Sequence, residues 1–174
     1  MKRRFLCALI ALTLAAAPAQ AQGGLISAIV SAAPVRGAFE ADGLSITLPA
    51  GLEALEGEDL EAYEAAAQFD YPDAARTILA AVNAERSASL ILAEAETELD
   101  CLDAAREAAE ALISDPEAAA EVEFGENRAA AFACAIGEQT YRLYYLSNGE
   151  RLLIVGVSGV EQREIDEMLT GLSF

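Results

Sequence analysis

The sequence predicts an α+β fold in which a mostly antiparallel sheet is flanked by helices, an α/β/α sandwich with a helix as its last element. The first supporting observation is a run of short apolar segments, separated by turn residues, over Glu121–Gly159. The second is the helical spacing of apolar residues over Leu102–Ile113, and the third is a similar apolar stripe close to the C-terminus.

The chain begins with the pattern of a secretory signal peptide. Basic residues at positions 2–4 precede the apolar run Phe5–Ala17, and Ala19-Gln20-Ala21 has the small-x-small form of a cleavage site. The run is shorter than the roughly twenty apolar residues that a membrane span needs. We therefore expect a periplasmic or secreted protein with no membrane span after cleavage. Residues 1–21 are expected to be the signal peptide, 22–38 a flexible leader and 39–174 a single domain.

The first half of the domain alternates extended and acidic segments. Leu44, Ile46 and Leu48 occupy alternate positions, which predicts a half-buried strand, and Phe39 is expected to cover the core just before it. We expect strands at Gly43–Leu48, Arg76–Asn83 and Ser89–Glu96, a short helix at Asp59–Phe69 and a turn at Asp70–Asp73. The alanines in the second and third of these strands are equally compatible with helices.

The middle helix has clear boundary signals. Asp100 precedes it and can accept the free N–H groups of its first turn. Asp115-Pro116 ends it, because proline disfavours helical geometry in the residue before it. The sequence therefore predicts a helix over Leu102–Ile113 that covers one face of the sheet.

Four strands and a final helix are expected after this point. The last strand is apolar without alternation, which is typical of a central strand covered on both sides. Ser158 and Glu161 fit a capping box at the start of the final helix, and Gly171 is a plausible stop. The strands are expected at Glu121–Phe124, Arg128–Ile136, Gln139–Ser147 and Arg151–Val157, with turns at Gly125-Glu126-Asn127, Gly137-Glu138 and Asn148-Gly149. The apolar stripe of the helix consists of Ile165, Met168, Leu169 and Leu172.

The order of elements over Phe39–Phe174 resembles the PsbP-like superfamily, which is named for an extrinsic subunit of photosystem II. The features that match are the strand and turn Gly43–Gly51, a following hairpin, the helix at Leu102–Ile113, the strands of Glu121–Gly159 and a last helix before Leu172-Ser173-Phe174. In layout the chain is most similar to the exported bacterial members of DcrB type. The resemblance implies an α/β/α sandwich that mainly binds other proteins, and it transfers no catalytic or cofactor-binding residue.

Two cysteines, Cys101 and Cys134, follow the expected cleavage site. In an oxidising compartment such a pair usually forms a disulfide bond. The bond would close a loop of about 33 residues and contribute roughly 3–4 kcal/mol in the chain-entropy model. A free catalytic thiol is the alternative, and it would have no histidine to activate it because the chain contains none.

Composition narrows the function classes. The net charge of −18 disfavours binding to nucleic acid and to anionic membranes. The absence of histidine excludes Ser-His-Asp and Cys-His catalysis and the commonest zinc ligand. Since no pair among the many carboxylates stands out, we expect a protein that is not an enzyme and uses no cofactor; a hydrolase with clustered carboxylates is a weaker alternative.

The expected function is that of an exported, non-catalytic protein-interaction or accessory module, monomeric, with another periplasmic or envelope protein as partner. A small-molecule or cation-binding protein is the alternative. Tyr and Arg are enriched at interface hot spots, so Arg142 with Tyr144 is one candidate surface, and ordinary sheet packing is the other interpretation of these residues. The second candidate surface is an acidic segment that contains Glu56, Glu58, Asp59 and Glu61.

Overall fold

The computed structural model describes residues 37–67, 75–85, 87–125, 127–136 and 139–174. The expected signal peptide at 1–21, nearly all of the expected leader at 22–38, and the expected turns at Asp70–Asp73 and Gly137-Glu138 lie outside the described residues. In the described part the strands are β1 Ala38–Ala41, β2 Leu44–Thr47, β3 Glu53–Ala54, β4 Ala75–Val82, β5 Ser89–Ala95, β6 Ala120–Phe124, β7 Asn127–Ile136, β8 Gln139–Ser147 and β9 Leu152–Ser158. The helices are α1 Gly57–Ala67, α2 Cys101–Ile113 and α3 Gln162–Thr170, and a short 3₁₀ helix spans Pro116–Ala118.

Strands β3 to β9 form one seven-stranded sheet in the order β3-β4-β5-β9-β8-β7-β6. Every neighbouring pair in this order is antiparallel. Strand β9 lies in the middle, and each of its seven residues is buried. The absence of alternation in this strand predicted a central position covered on both sides, and the structure confirms it. The α+β class with a mostly antiparallel sheet and a last helix is likewise confirmed.

Helix α2 covers one face of the sheet with alanine side chains. Ala105 and Ala109 are fully buried there. Because alanine is small, the helix can approach the strands closely, and the volume of this core comes from large side chains on the sheet. Phe132 of β7 and Tyr145 of β8 are the clearest example, with stacked rings whose centroids are 6.2 Å apart.

The opposite face is covered by α3 and by the β1–β2 hairpin, which forms a separate two-stranded sheet. Leu44 and Ile46 of β2 are each 1% exposed and belong to the same core cluster as α3. The apolar stripe expected at the C-terminal helix is buried at all four positions, Ile165, Met168, Leu169 and Leu172, which confirms the prediction.

The segment Leu172–Phe174 is held against the fold by hydrogen bonds from three places. Ser45 of β2 exchanges two backbone hydrogen bonds, of 2.9 and 3.0 Å, with the middle residue of this segment. The side-chain nitrogen of Asn127 donates to the first carbonyl of the segment at 3.1 Å, and that of Asn148 donates to the last at 2.8 Å. The two asparagines expected in turns therefore also fix the end of the chain.

The β1–β2 hairpin was not predicted from the sequence. Its turn residues Asp42 and Gly43 have φ angles of +52° and +77°, as a two-residue turn of type I′ requires. Phe39 was expected only to precede the strand, but it pairs with Ile46 in β1–β2 and packs against the core. Asp-Gly between extended segments is itself a hairpin signal, so the sequence did contain the information.

The capping box expected for the last helix is wrong. Ser158 is the final residue of β9, where it is buried and pairs with Ser89 of β5. The N-cap of α3 is Glu161, and its side chain makes no capping hydrogen bond. The central strand thus continues through the expected cap, and Gly159, with φ of +69°, makes the turn out of the sheet.

Gly159→Ala is expected to destabilise the fold by about 3 kcal/mol or more. A Cβ atom at Gly159 would lie 2.1 Å from the carbonyl oxygen of Ser87, in addition to the strain of a positive φ. Gly51→Ala is the matched control, because its φ is +82° and no atom lies within 4 Å of an added Cβ. Gly51→Ala should lower the free energy of unfolding by only about 1–2 kcal/mol. Urea denaturation measures both, and equal losses would contradict the steric argument.

Candidate ligand-binding cleft

A polar cleft lies at one end of the sheet, where β5 and β8 end and β9 begins. It consists of two cavities of about 500 Å³ and 900 Å³, which we call the small and the large cavity. Both are lined by the loop that follows β5 and by the turn that precedes β9. The residues that line both cavities are Thr97, Glu98, Leu99, Glu150 and Arg151. The shared lining makes the two cavities one continuous cleft.

The turn between β8 and β9 forms one wall of the cleft. The side-chain oxygen of Asn148 accepts hydrogen bonds from the backbone N–H groups of Glu150 and Arg151, each at 3.0 Å. Gly149 has a φ of +92°, and its N–H donates to the hydroxyl of Ser147 at 3.1 Å. The Asn-Gly turn that the sequence predicted is therefore present and is fixed by its own side chains.

The loop between β5 and α2 forms the facing wall. The hydroxyl of Thr97 accepts a hydrogen bond from the N–H of Leu99 at 3.1 Å. Asp100 is the N-cap of α2, and its carboxylate accepts from the N–H of Asp103 at 2.9 Å. This confirms the cap expected from the sequence. Like the facing turn, the loop is held by local hydrogen bonds.

A network of ion pairs and hydrogen bonds joins four elements at the large cavity. Arg76 of β4 contacts Asp42 of the β1–β2 turn at 2.9 Å and Glu94 of β5 at 3.1 Å. Arg151 contacts the other carboxylate oxygen of Glu94 at 2.5 Å and donates to the carbonyl of Asp42 at 3.2 Å. Hydrogen bonds from Arg151, and secondarily from Arg76, lower the pKa of Glu94 although partial burial opposes this shift.

Arg128, the second residue of β7, lines the small cavity. The residue is exposed and pairs across the sheet with Ser147. Within the described ranges, the Arg128 guanidinium makes no hydrogen bond or ion pair. In contrast to Arg76 and Arg151, this arginine therefore keeps an unneutralised charge at the wall of the cleft.

The structure places the expected Arg142–Tyr144 surface largely under helix α3. Tyr144 is 4% exposed and packs edge-to-face on Phe124, with ring centroids 5.7 Å apart. Gln162 of α3 receives a hydrogen bond from Arg142 at 2.8 Å and donates one to the Tyr144 hydroxyl at 3.2 Å. Tyr144 is therefore a core residue rather than an exposed contact, because α3 occupies the face that it points to.

The expected acidic surface is exposed. Glu56 precedes α1, and Glu58, Asp59 and Glu61 lie in its first two turns. These carboxylates do not line the cleft, and they make no ion pair with another described residue. The helix expected at Asp59–Phe69 is present as α1, which begins two residues earlier at Gly57.

Cys101 and Cys134 are each 4% exposed and lie in the same buried cluster between α2 and the sheet. Burial raises the pKa of both thiols; at Cys101 the charge of Asp100 adds to this effect and that of Arg128 opposes it. Both are free thiols in this structure and do not lie at disulfide-bonding distance. The disulfide stays a prediction for the oxidised protein, and it would need α2 and β7 to move closer together.

Two further features concern the part of the chain that the structure describes. No group of three or more Cys, Asp or Glu side chains in that part is arranged to hold a metal ion. Among its helices, none combines the length and the apolar character needed to cross a membrane.

Comparison with known proteins adds little. No family model and no curated protein matches this chain. A crystal structure of a protein from Bacteroides thetaiotaomicron VPI-5482 is similar, with 12% sequence identity and a TM-score of 0.46. The match covers 75% of this chain and 44% of that protein, so the chain spans less than half of the length of the solved protein. We base no functional conclusion on this similarity, and the PsbP-like resemblance stays a prediction.

Glu94→Gln is expected to lower the free energy of unfolding at neutral pH by about 1–2 kcal/mol, because Arg151 loses its charged partner. The pKa of Glu94 is lowered in the folded protein, so its contribution is complete above the ordinary carboxyl value of 4.5. It is lost as the pH falls through the lower folded value. Urea denaturation of both proteins should therefore show a difference that shrinks below pH 4.5.

Glu96→Gln is the control for this experiment. Glu96 is exposed, lies two residues further along and makes no ion pair with another described residue. Its unfolding free energy should stay within about 0.5 kcal/mol of the wild type. Equal effects of the two substitutions would show that the ion-pair network contributes nothing specific.

The disulfide prediction requires that the unreduced, exported protein has no thiol available for labelling after unfolding in guanidinium chloride. The Cys101→Ser variant should then label once, at Cys134, because the bond can no longer form. Mass spectrometry after treatment with iodoacetamide measures the number of labels. Two labels on the unreduced wild-type protein would overturn the prediction and match the free thiols of this structure.

Proposed function

We propose that this protein is an exported, non-catalytic interaction module and that its partner, another periplasmic or envelope protein, binds at the cleft. The observation that carries the proposal is the cleft itself, in which charged side chains of both signs surround cavities of about 500 and 900 Å³. Open, polar surfaces with arginine are typical of the contact regions of non-obligate protein complexes. The signal-peptide pattern of residues 1–21 and the PsbP-like resemblance agree with this role.

The cleft is held in shape before any partner arrives. Asn148 and Thr97 fix its two walls through hydrogen bonds to nearby backbone groups, and the pairs of Glu94 with Arg76 and Arg151 join three neighbouring strands. A preformed surface loses little conformational entropy on binding. The cleft is therefore better suited to a partner than the exposed carboxylates of Glu58, Asp59 and Glu61 in α1, which make no ion pair with another described residue.

A small-molecule binding protein is the second candidate function. The cavity volumes lie within the range of about 300–1,000 Å³ that is usual for small ligands. Such sites are mostly apolar with a few polar groups, whereas Arg76, Glu94, Glu98, Glu150 and Arg151 give the large cavity a charged lining. The cavity volumes favour a small-molecule binding protein, and the charged lining favours a protein-interaction module.

A photo-crosslinking amino acid at position 150 is expected to capture a protein partner in intact cells of the producing organism. Glu150 is exposed at the rim of both cavities, so the probe would reach a bound partner without disturbing the core. Adducts are measured by a mass shift on gels after irradiation. The same probe at Glu110, exposed on the outer side of α2, is the matched control and should give none.

A third probe position separates the cleft from the acidic surface. Glu58 lies in the first turn of α1 and is exposed. An adduct at position 58 in the absence of one at position 150 would overturn the assignment to the cleft. No adduct at either position would contradict the proposal of a protein partner.

A further inference from the structure

The wall of the small cavity includes one arginine, Arg128, that forms no ion pair with another described residue. Of the two arginines that line it, Arg151 is paired with Glu94, and only Arg128 makes no hydrogen bond or ion pair within the described ranges. Guanidinium groups have five N–H donors and no acceptor, so an anionic group is a suitable partner for them. Arg128, exposed at the wall of a cavity of about 500 Å³, is therefore available to an anionic group of a ligand.

Two hydroxyl groups that line the small cavity together with Arg128 are also available as donors. Ser147 accepts a hydrogen bond from the N–H of Gly149, and Thr97 accepts one from the N–H of Leu99. Each hydroxyl therefore keeps its own proton, and neither proton has a described acceptor. Both residues line the small cavity with Arg128, so the donors converge on the same space. A carboxylate accepts from several donors at once and matches the planar guanidinium in two parallel hydrogen bonds.

The rim of the small cavity has the opposite charge. Glu98, Asp100 and Glu150 are exposed there, and the whole chain has a net charge of −18. A ligand with only negative charge would be repelled by this field before it reached Arg128. A ligand that combines a carboxylate with a positive group can interact favourably with Arg128 in the cavity and with the carboxylates at its rim.

We propose that the small cavity binds the carboxylate of a ligand that also carries positive charge, such as the C-terminus of a basic peptide segment. The carboxylate contacts Arg128, Ser147 and Thr97, and the positive group lies near Glu98 and Glu150. This inference rests on the proposed function and names the chemistry that the partner presents. A chain terminus and a free basic amino acid offer the same groups, and the experiment distinguishes them.

The test uses three peptides and ¹⁵N-labelled protein spanning 22–174. N-acetyl-Gly-Gly-Lys with a free carboxylate is expected to shift the amide signals of residues 97–101 and 147–152. The same peptide with an amidated C-terminus should bind at least about tenfold more weakly, although its net charge favours approach to this acidic protein. N-acetyl-Gly-Gly-Gly with a free carboxylate should also bind more weakly, because it lacks the positive group.

Substitution identifies the arginine that binds the carboxylate. Arg128→Gln is expected to weaken the binding of N-acetyl-Gly-Gly-Lys at least about tenfold. Arg163→Gln, which removes an arginine whose side chain is 86% exposed on α3, is the matched control and should leave the affinity unchanged. Free lysine is titrated as well: affinity equal to that of the peptide identifies an amino acid as the source, and weaker binding identifies a chain terminus.

The proposal is overturned if the amidated peptide binds as tightly as the free one, if no signal near the cavity shifts, or if Arg128→Gln binds with wild-type affinity. The amide comparison uses the unmodified protein, so it decides the matter even if the Arg128 variant does not fold. The crosslinking experiment stays separate from this result. If the probe at position 150 still forms an adduct in the Arg128→Gln variant, the result would support the proposed function and contradict the carboxylate site.

Discussion

Burial of strand β9 on both faces is the constraint on which the rest of the structure depends. Its seven residues are all buried, so each face of the sheet needs its own cover. Helix α2 supplies one cover with small side chains, and α3 together with the β1–β2 hairpin supplies the other. Gly156, whose added Cβ would lie 3.0 Å from Ile91 and 3.3 Å from Leu143, shows how tightly the centre is packed.

The same arrangement explains where the charged residues collect. The buried centre of the sheet is unfavourable for ionic groups, since an unpaired buried charge is costly. Arg76, Glu94 and Arg151 lie where the neighbouring strands β4, β5 and β9 reach the end of the sheet, and Asp42 reaches them from the hairpin above. The cleft therefore forms where the strands end and no longer bury apolar side chains. It lies between two loops whose backbones are fixed by local hydrogen bonds.

The candidate site could be predicted from the sequence only in part. The Asn148-Gly149 turn and the Asp100 cap were recognisable, because both depend on local chemistry. The position of Arg128 at a shared cavity was not, because Thr97 and Ser147, which line the same cavity, come from other parts of the chain. One further signal was present: the 11 basic residues are outnumbered by 29 acidic ones, and Arg76 and Glu94 occupy facing positions of an expected hairpin.

The sequence by itself determined the α+β class, the central place of β9, the buried stripe of α3 and the boundaries of most strands. These follow from periodicity and from turn residues, which act over a few positions. The tertiary structure decided that Tyr144 lies under α3, that Ser158 belongs to the sheet rather than to a helix cap, and that Arg128 lies at the wall of a cavity. Each of these depends on which distant segment occupies the neighbouring space, and local patterns contain no information about that.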